Sequence, residues 1–283
     1  MKWKRSERLV DMTQYMIEHP HKLIPLTYFA SLYQSAKSSI SEDLTIIKET
    51  FEERGRGLLI TVPGAAGGVK FIPTMTSEDV NEIAQSLIEQ LSKADRLLPG
   101  GYLYMTDLLG NPSLMNKVGK IFASSFAHEK IDAIMTVATK GISIAHAIAR
   151  HLNVPVVVVR RDSKVTEGPT VSINYVSGSA RRIQTMVLSK RSMEKGQRVL
   201  ITDDFMKVGG TINGMKNLLE EFNCELAGIA VLVEADHEGE QLVDEYLSLI
   251  KLREVNEKDG TIVLTEGNYF EKGGNNDESS NNN

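Results

Sequence analysis

The chain has 283 residues, 41% hydrophobic and 24% charged, with a formal charge of −5. These are ordinary proportions for a folded protein with core material for two domains. No run of about 18 apolar residues exists, which excludes a membrane-spanning helix. A lone cysteine, Cys224, excludes an intramolecular disulfide and a cysteine-based zinc cluster and points to a reducing, cytoplasmic setting.

The N-terminal segment is basic but leads into a polar helical pattern rather than an apolar leader. Ser6 to Glu18 place Leu9, Met12, Met16 and Ile17 on one helical face, and Pro20 stops the pattern. Pro25 opens a short helix through Tyr28, Phe29 and Leu32. Ser35 is the expected N-cap of a third helix, whose stripe is Ile40, Leu44, Ile47 and Phe51. Two strands follow, Leu58–Val62 and Val69–Ile72, joined by a Gly/Ala-rich turn at Gly64–Gly68. Residues 1–74 carry ten Lys/Arg against eight Asp/Glu, so the remainder carries −7 of the total −5. Affinity for nucleic acid depends on where the cations sit, so this balance permits a DNA-binding head without establishing one.

Pro73-Thr74 mark a boundary, and a second domain is expected over residues 75–270. It opens on a helix with the stripe Val80, Ile83, Ala84, Leu87, Ile88 and Leu91. Strand and helix then alternate: strands at Ile131–Val137, Val154–Val159, Val199–Thr202 and Ala227–Val233, and helices from Gly141 and from about Gly210. This alternation predicts an α/β domain with a mostly parallel sheet covered on both faces. Residues 271–283, rich in Asn and Ser, cannot bury a core and are expected to be a disordered tail. The six histidines show no metal-ligand spacing with cysteines or carboxylates, so no metal site is assigned.

The sharpest local signal is Val199-Leu200-Ile201-Thr202-Asp203-Asp204-Phe205-Met206-Lys207-Val208-Gly209-Gly210-Thr211. Apolar residues deliver the chain to the carboxyl end of a strand, where open α/β sheets bind ligands. Paired glycines at a helix N-terminus let a phosphate reach backbone N–H groups, and Thr211 and Lys207 can add a hydroxyl and a cation. Two carboxylates beside a phosphate need a partner of their own, such as ribose hydroxyls or a divalent cation. The combination specifies a sugar phosphate.

These thirteen residues resemble the phosphoribosyl pyrophosphate motif of the type I phosphoribosyltransferase family, with Lys207 where the enzymes usually carry a small residue. The resemblance implies that Asp203 and Asp204 hold the ribose hydroxyls and that Lys207–Thr211 wrap the 5′-phosphate. It also implies that Thr139, Lys140 and Gly141 take the pyrophosphate. Arg160 is expected to complete the anionic pocket, ahead of Arg161 and Lys164, and 177–182 to belong to the same mobile region. Tyr102 is placed to stack on a base.

The segment Ala36–Leu44 resembles the recognition helix of a winged helix-turn-helix. Lys37, Ser38, Ser39 and Ser41 are the candidates for base edges and phosphates, Gly64–Gly68 is the wing with Lys70 beside it, and Lys4, Arg5, Arg8, Arg54 and Arg56 are candidate phosphate contacts. Taken whole, residues 3 to 270 are similar to the purine-operon repressors of Gram-positive bacteria. That likeness implies a homodimer on operator DNA, released by phosphoribosyl pyrophosphate with or without magnesium. Pocket chemistry adds guanosine tetraphosphate as a competitor. An active phosphoribosyltransferase with a regulatory head is the alternative, and a protein-binding adaptor a third reading.

Overall fold

The spacing of Ile40, Leu44, Ile47 and Phe51 becomes the buried face of a 17-residue helix in a computed structural model that describes residues 3–64, 66–162, 165–176, 183–237 and 241–272. The chain forms two compact units whose main division falls between Thr76 and Ser77.

The first unit contains α1 (Arg5–Glu18), α2 (Leu26–Tyr33), α3 (Lys37–Glu53), β1 (Leu58–Val62) and β2 (Gly68–Ile72). At the start of α1 the Glu7 carboxylate accepts the Lys4 backbone N–H at 2.8 Å, satisfying a donor that the first helical turn leaves open. The three helices bury Met12, Met16, Phe29, Tyr33 and Ile40 almost completely. Each such side chain contributes roughly 1.5–3 kcal/mol by leaving water. β1 and β2 pair antiparallel from Leu58–Ile72 to Val62–Gly68, and Ile24 adds a bridge to Val69.

Two local expectations fail in this unit. Ile17 is 49% exposed, because the stripe turns past the core after Met16. Ala36, not Ser35, caps α3, and the Ser35 hydroxyl instead donates to the Tyr33 carbonyl at 3.2 Å.

The second unit opens with α4 (Ser77–Leu91), β3 (Leu97–Leu98), β4 (Tyr102–Leu103), α5 (Thr106–Leu109) and α6 (Pro112–Ser125). There follow β5 (Ala133–Val137), α7 (Gly141–Leu152), β6 (Val156–Val159), the ribbon β7 (Thr170–Val176) and β8 (Ile183–Ser189), and then β9 (Arg198–Met206) and α8 (Gly210–Glu221). The last elements are β10 (Glu225–Ala235), β11 (Leu247–Asn256), β12 (Thr261–Glu266) and α9 (Tyr269–Lys272).

Six strands form one sheet in the order β12-β11-β10-β9-β5-β6, parallel throughout except for β12 at the edge. Met135, Val157, Ile201 and Val231 on one face pack with Ile212, Met215 and Leu218 of α8 and with Tyr175 and Met186 of the ribbon.

The mostly parallel α/β domain is as the sequence reads it. The ribbon and the β11–β12 pair are additions, since their strands mix polar and apolar residues without a clean period. β9 runs on to Met206, so Asp203 and Asp204 lie within the strand rather than after it. Glu271 and Lys272, assigned to the tail, instead complete α9. The remainder of that tail, Ser163, Lys164 and the run 177–182 lie outside the described residues.

Candidate functional site

The carboxyl ends of β5 and β9 and the first turn of α8 converge on one open cleft of about 690 Å³, lined among others by Tyr102, Thr139, Lys140, Asp203, Asp204, Phe205 and Thr211. A smaller hollow of about 80 Å³ adjoins it, lined by Tyr102, Asp203 and Phe205–Ile212. The segment singled out in the sequence therefore walls two connected depressions.

Gly209 is the N-cap of α8 in a left-handed conformation (φ 88°), a shape that costs glycine nothing and other residues a good deal. It starts α8 at the hollow, which Gly210, Thr211 and Ile212 of the first turn line, and a helix N-terminus favours an anion. Lys207 is exposed at the rim and Met206 is buried.

Asp203 is 8% exposed, and its Oδ1 accepts the Asp204 backbone N–H at 3.0 Å. Burial pushes its carboxyl well above the usual range, and the adjacent Asp204 charge adds to the effect. Burial raises Asp204 too, while the Asp203 hydrogen bond and the Lys140 charge pull it back. Such a pair is poised to accept hydrogen bonds from a vicinal diol, which would supply the donors that water no longer can.

Gly141 begins α7 directly after Thr139 and Lys140. A Cβ there would lie 2.2 Å from Thr136 Oγ1 and 3.2 Å from Asp203 Oδ1. Only glycine lets the helix start this close to the strand tips.

One assignment changes. Arg160 Nε is held by Glu167 at 3.3 Å, and its backbone pairs with Val187. Arg161 lines the cleft instead and its charge acts on Asp203.

In the first unit, Lys37, Ser38 and Ser41 are exposed on the opening turns of α3, and Ser39 is half-buried. Lys4, Arg54 and Arg56 are exposed, and Lys70 is half-exposed on β2. Arg5 and Arg8 both bind Asp43, which is 1% exposed. The sequence reading missed Asp43, since nothing in an apolar stripe announces an acid beside it. It also missed Lys22, whose ammonium lies 5.8 Å from the Tyr15 ring centre.

Among the described residues no group of three or more His, Cys, Asp or Glu side chains is arranged to hold a metal ion, and no helix is long and apolar enough to cross a membrane.

The family model described as bacterial purine repressor, N-terminal, matches residues 4–73, and that of the phosphoribosyl transferase domain matches residues 105–262. The purine biosynthesis transcriptional repressor PurR of Bacillus subtilis (strain 168) is 63% identical over 270 residues, covering 95% of each chain. The purine biosynthesis transcriptional activator PurR of Lactococcus lactis subsp. lactis (strain IL1403) is 50% identical over 267 residues, 94% of this chain and 98% of that one. A xanthine phosphoribosyltransferase of Alkaliphilus metalliredigens (strain QYMF) is 31% identical over 162 residues, 54% of this chain and 78% of the enzyme. The chain belongs to the PurR family of purine biosynthesis transcriptional regulators, with a purine-repressor head joined to a phosphoribosyltransferase domain.

Proposed function

We propose that this chain is a cytoplasmic repressor of purine biosynthesis and salvage genes, binding operator DNA as a homodimer and releasing it when phosphoribosyl pyrophosphate fills the cleft. The observation that carries the ligand is the convergence of three chemistries on one cavity: Asp203 and Asp204 for the diol, the α8 N-terminus for the 5′-phosphate, and Lys140 with Arg161 for the pyrophosphate. The site's acids fit magnesium only as a companion of the ligand, carried on its pyrophosphate oxygens. The repressor sign follows the relative at 63% identity, and the activator at 50% makes the sign a separate question.

The head supports DNA binding through the exposed Lys37, Ser38 and Ser41 of α3, with Lys4, Arg54, Arg56 and Lys70 as phosphate contacts. A polyanion in the body weakens the hold on DNA, and DNA weakens its binding by the same factor. Guanosine tetraphosphate, with a ribose and two diphosphates, suits the same cradle and competes for it.

The enzymatic alternative draws on the intact acids and on the xanthine phosphoribosyltransferase relative. Mixing protein, phosphoribosyl pyrophosphate, magnesium and each purine base separates the two, because released pyrophosphate establishes turnover. The repressor reading is tested by fluorescence anisotropy on DNA from upstream of purine biosynthesis genes, titrated with phosphoribosyl pyrophosphate at fixed salt. Specific binding that the ligand relieves supports it, and an Asp203→Ala, Asp204→Ala protein is expected to bind the DNA and ignore the ligand. No specific binding would sink it.

A further inference from the structure

Below the cleft, two hydroxyls lie in the wrong kind of place. Thr136 on β5 and Thr202 on β9 are both 0% exposed, and neither side-chain oxygen has a hydrogen-bond partner. They stand one residue beyond the Met135–Ile201 pair of the β5–β9 ladder, on neighbouring strands. A buried hydroxyl without a partner is destabilising, and valine would fill either position with almost the same shape.

The two differ in what they face. The point where a Cβ on Gly141 would sit has Thr136 Oγ1 at 2.2 Å and Asp203 Oδ1 at 3.2 Å. The Thr136 hydroxyl thus lies where the start of α7, which closes the pyrophosphate loop, meets the carboxylate assigned to the ribose diol. Oδ1 of Asp203 already accepts one backbone N–H, from Asp204, and has a second lone pair to offer.

We propose that Thr136 is a positioning residue for the ligand: its hydroxyl donates to Asp203 Oδ1 when the carboxylate engages the diol, fixing that acid and the pyrophosphate loop in one geometry. This rests on the proposed ligand. The Thr136 hydroxyl has no hydrogen-bond acceptor and gains one when the carboxylate is drawn into contact with ligand, so its contribution falls on the bound state. A hydrogen bond to an ionised group is strong enough for its loss to be read as about a tenfold change in affinity.

The test is calorimetric titration of phosphoribosyl pyrophosphate with magnesium into the whole protein, Thr136→Val, Thr136→Ser and Thr202→Val, alongside thermal unfolding of each. Thr136→Val is expected to weaken binding about tenfold with an unchanged or higher Tm. Thr136→Ser is expected to restore affinity, and Thr202→Val to leave it near that of the parent. Ribose 5-phosphate, which carries the diol, should lose affinity on Thr136→Val, whereas a purely structural hydroxyl would leave that ratio at one. If Thr136→Val does not fold, Thr136→Ala against Thr136→Ser gives the same comparison. Equal affinity of the parent and Thr136→Val, or equal losses from Thr136→Val and Thr202→Val as from a shared buried water, overturns the role of Thr136 and leaves the ligand assignment standing. A parent protein that binds no phosphoribosyl pyrophosphate removes both.

Discussion

Arg8, from the first helix of the head, closes on Asp43 of the third with Nε 2.8 Å from Oδ2, and the acid is 1% exposed. Arg5 Nε takes the other oxygen at 2.9 Å. A carboxylate this deeply buried is tolerable because both oxygens are occupied, and removing it strands a guanidinium that is only 12% exposed in Arg8. Arg5, at 52% exposure, is screened by solvent and adds less. Asp43→Ala is expected to cost the head about 2 kcal/mol or more. Trp3, the one tryptophan, rests edge-on against Tyr33 at 5.2 Å and reports on the same unit. At roughly 4–8 °C per kcal/mol for a unit of this size, the transition followed by its fluorescence should fall by about 10 °C. An unmoved transition would mean the pair adds nothing to the packing around it.

The same pair shows what the sequence conceals. Asp43 meets Arg5 and Arg8 across gaps of 38 and 35 residues. No local period encodes such a meeting. Asp203 to Thr211, by contrast, form a strand end, a turn and a helix start in unbroken succession, so their local arrangement was readable from the order of the residues. The Arg160–Arg161 exchange lies between these cases: the cation was legible, while its direction depended on the Glu167 contact. The acids' position inside β9 escaped because charged residues weaken a strand pattern even where the pairing continues, as Asp203–Val231 does.

Burial raises the pKa of both Asp203 and Asp204. A carboxyl whose folded pKa exceeds its unfolded one favours the folded state at low pH, and stability is lost as pH rises through the folded value. Asp203→Asn, Asp204→Asn is therefore expected to have a higher Tm than the parent near neutral pH. That gap should shrink as pH falls toward about 4, the ordinary carboxylate range. The ligand needs the ionised acids, so its own stabilising effect on the parent should grow with pH. Thermal unfolding across that range, with and without phosphoribosyl pyrophosphate, checks both slopes. A pH-independent difference would show that the acids are ionised throughout.

Gly209 combines a φ of 88° with a wall: an added Cβ would lie 2.7 Å from Val243 Cγ2. Gly196 has a similar φ of 83° and nothing within 4 Å. Gly196→Ala should carry only the left-handed backbone cost, about 1 kcal/mol. Gly209→Ala adds a displacement of the turn that aims the α8 amides, so its stability loss should exceed that of Gly196→Ala by about 1 kcal/mol or more. Its affinity for phosphoribosyl pyrophosphate should fall at least about tenfold, while Gly196→Ala binds normally. Titration of the two variants side by side decides this, and equal affinities would remove the α8 amides from the phosphate cradle.

Glu234, 5% exposed near the end of β10, accepts hydrogen bonds from Tyr246 Oη and, at 2.7 Å, from Ser248 Oγ. Ser248 Oγ in turn accepts the Asn268 backbone N–H at 3.0 Å, while its own backbone N–H donates to Asn268 Oδ1 at 2.8 Å. The acid thereby ties the approach to β11 and the segment leading into α9 to the centre of the sheet. Burial, and then the Glu234 carboxylate, hold the Tyr246 hydroxyl well above its ordinary pKa, which keeps it a donor at neutral pH. Tyr246→Phe and Ser248→Ala should each cost about 1–3 kcal/mol, as expected for hydrogen bonds to a charged group. Because both donors serve one buried acceptor, removing both leaves the charge uncompensated, and the double variant should lose more than the two single losses together, by about 1 kcal/mol. A double-mutant cycle by denaturant unfolding measures that excess. Simple additivity would mean that water reaches Glu234 once a donor is gone, and that the network is no tighter than two independent bonds.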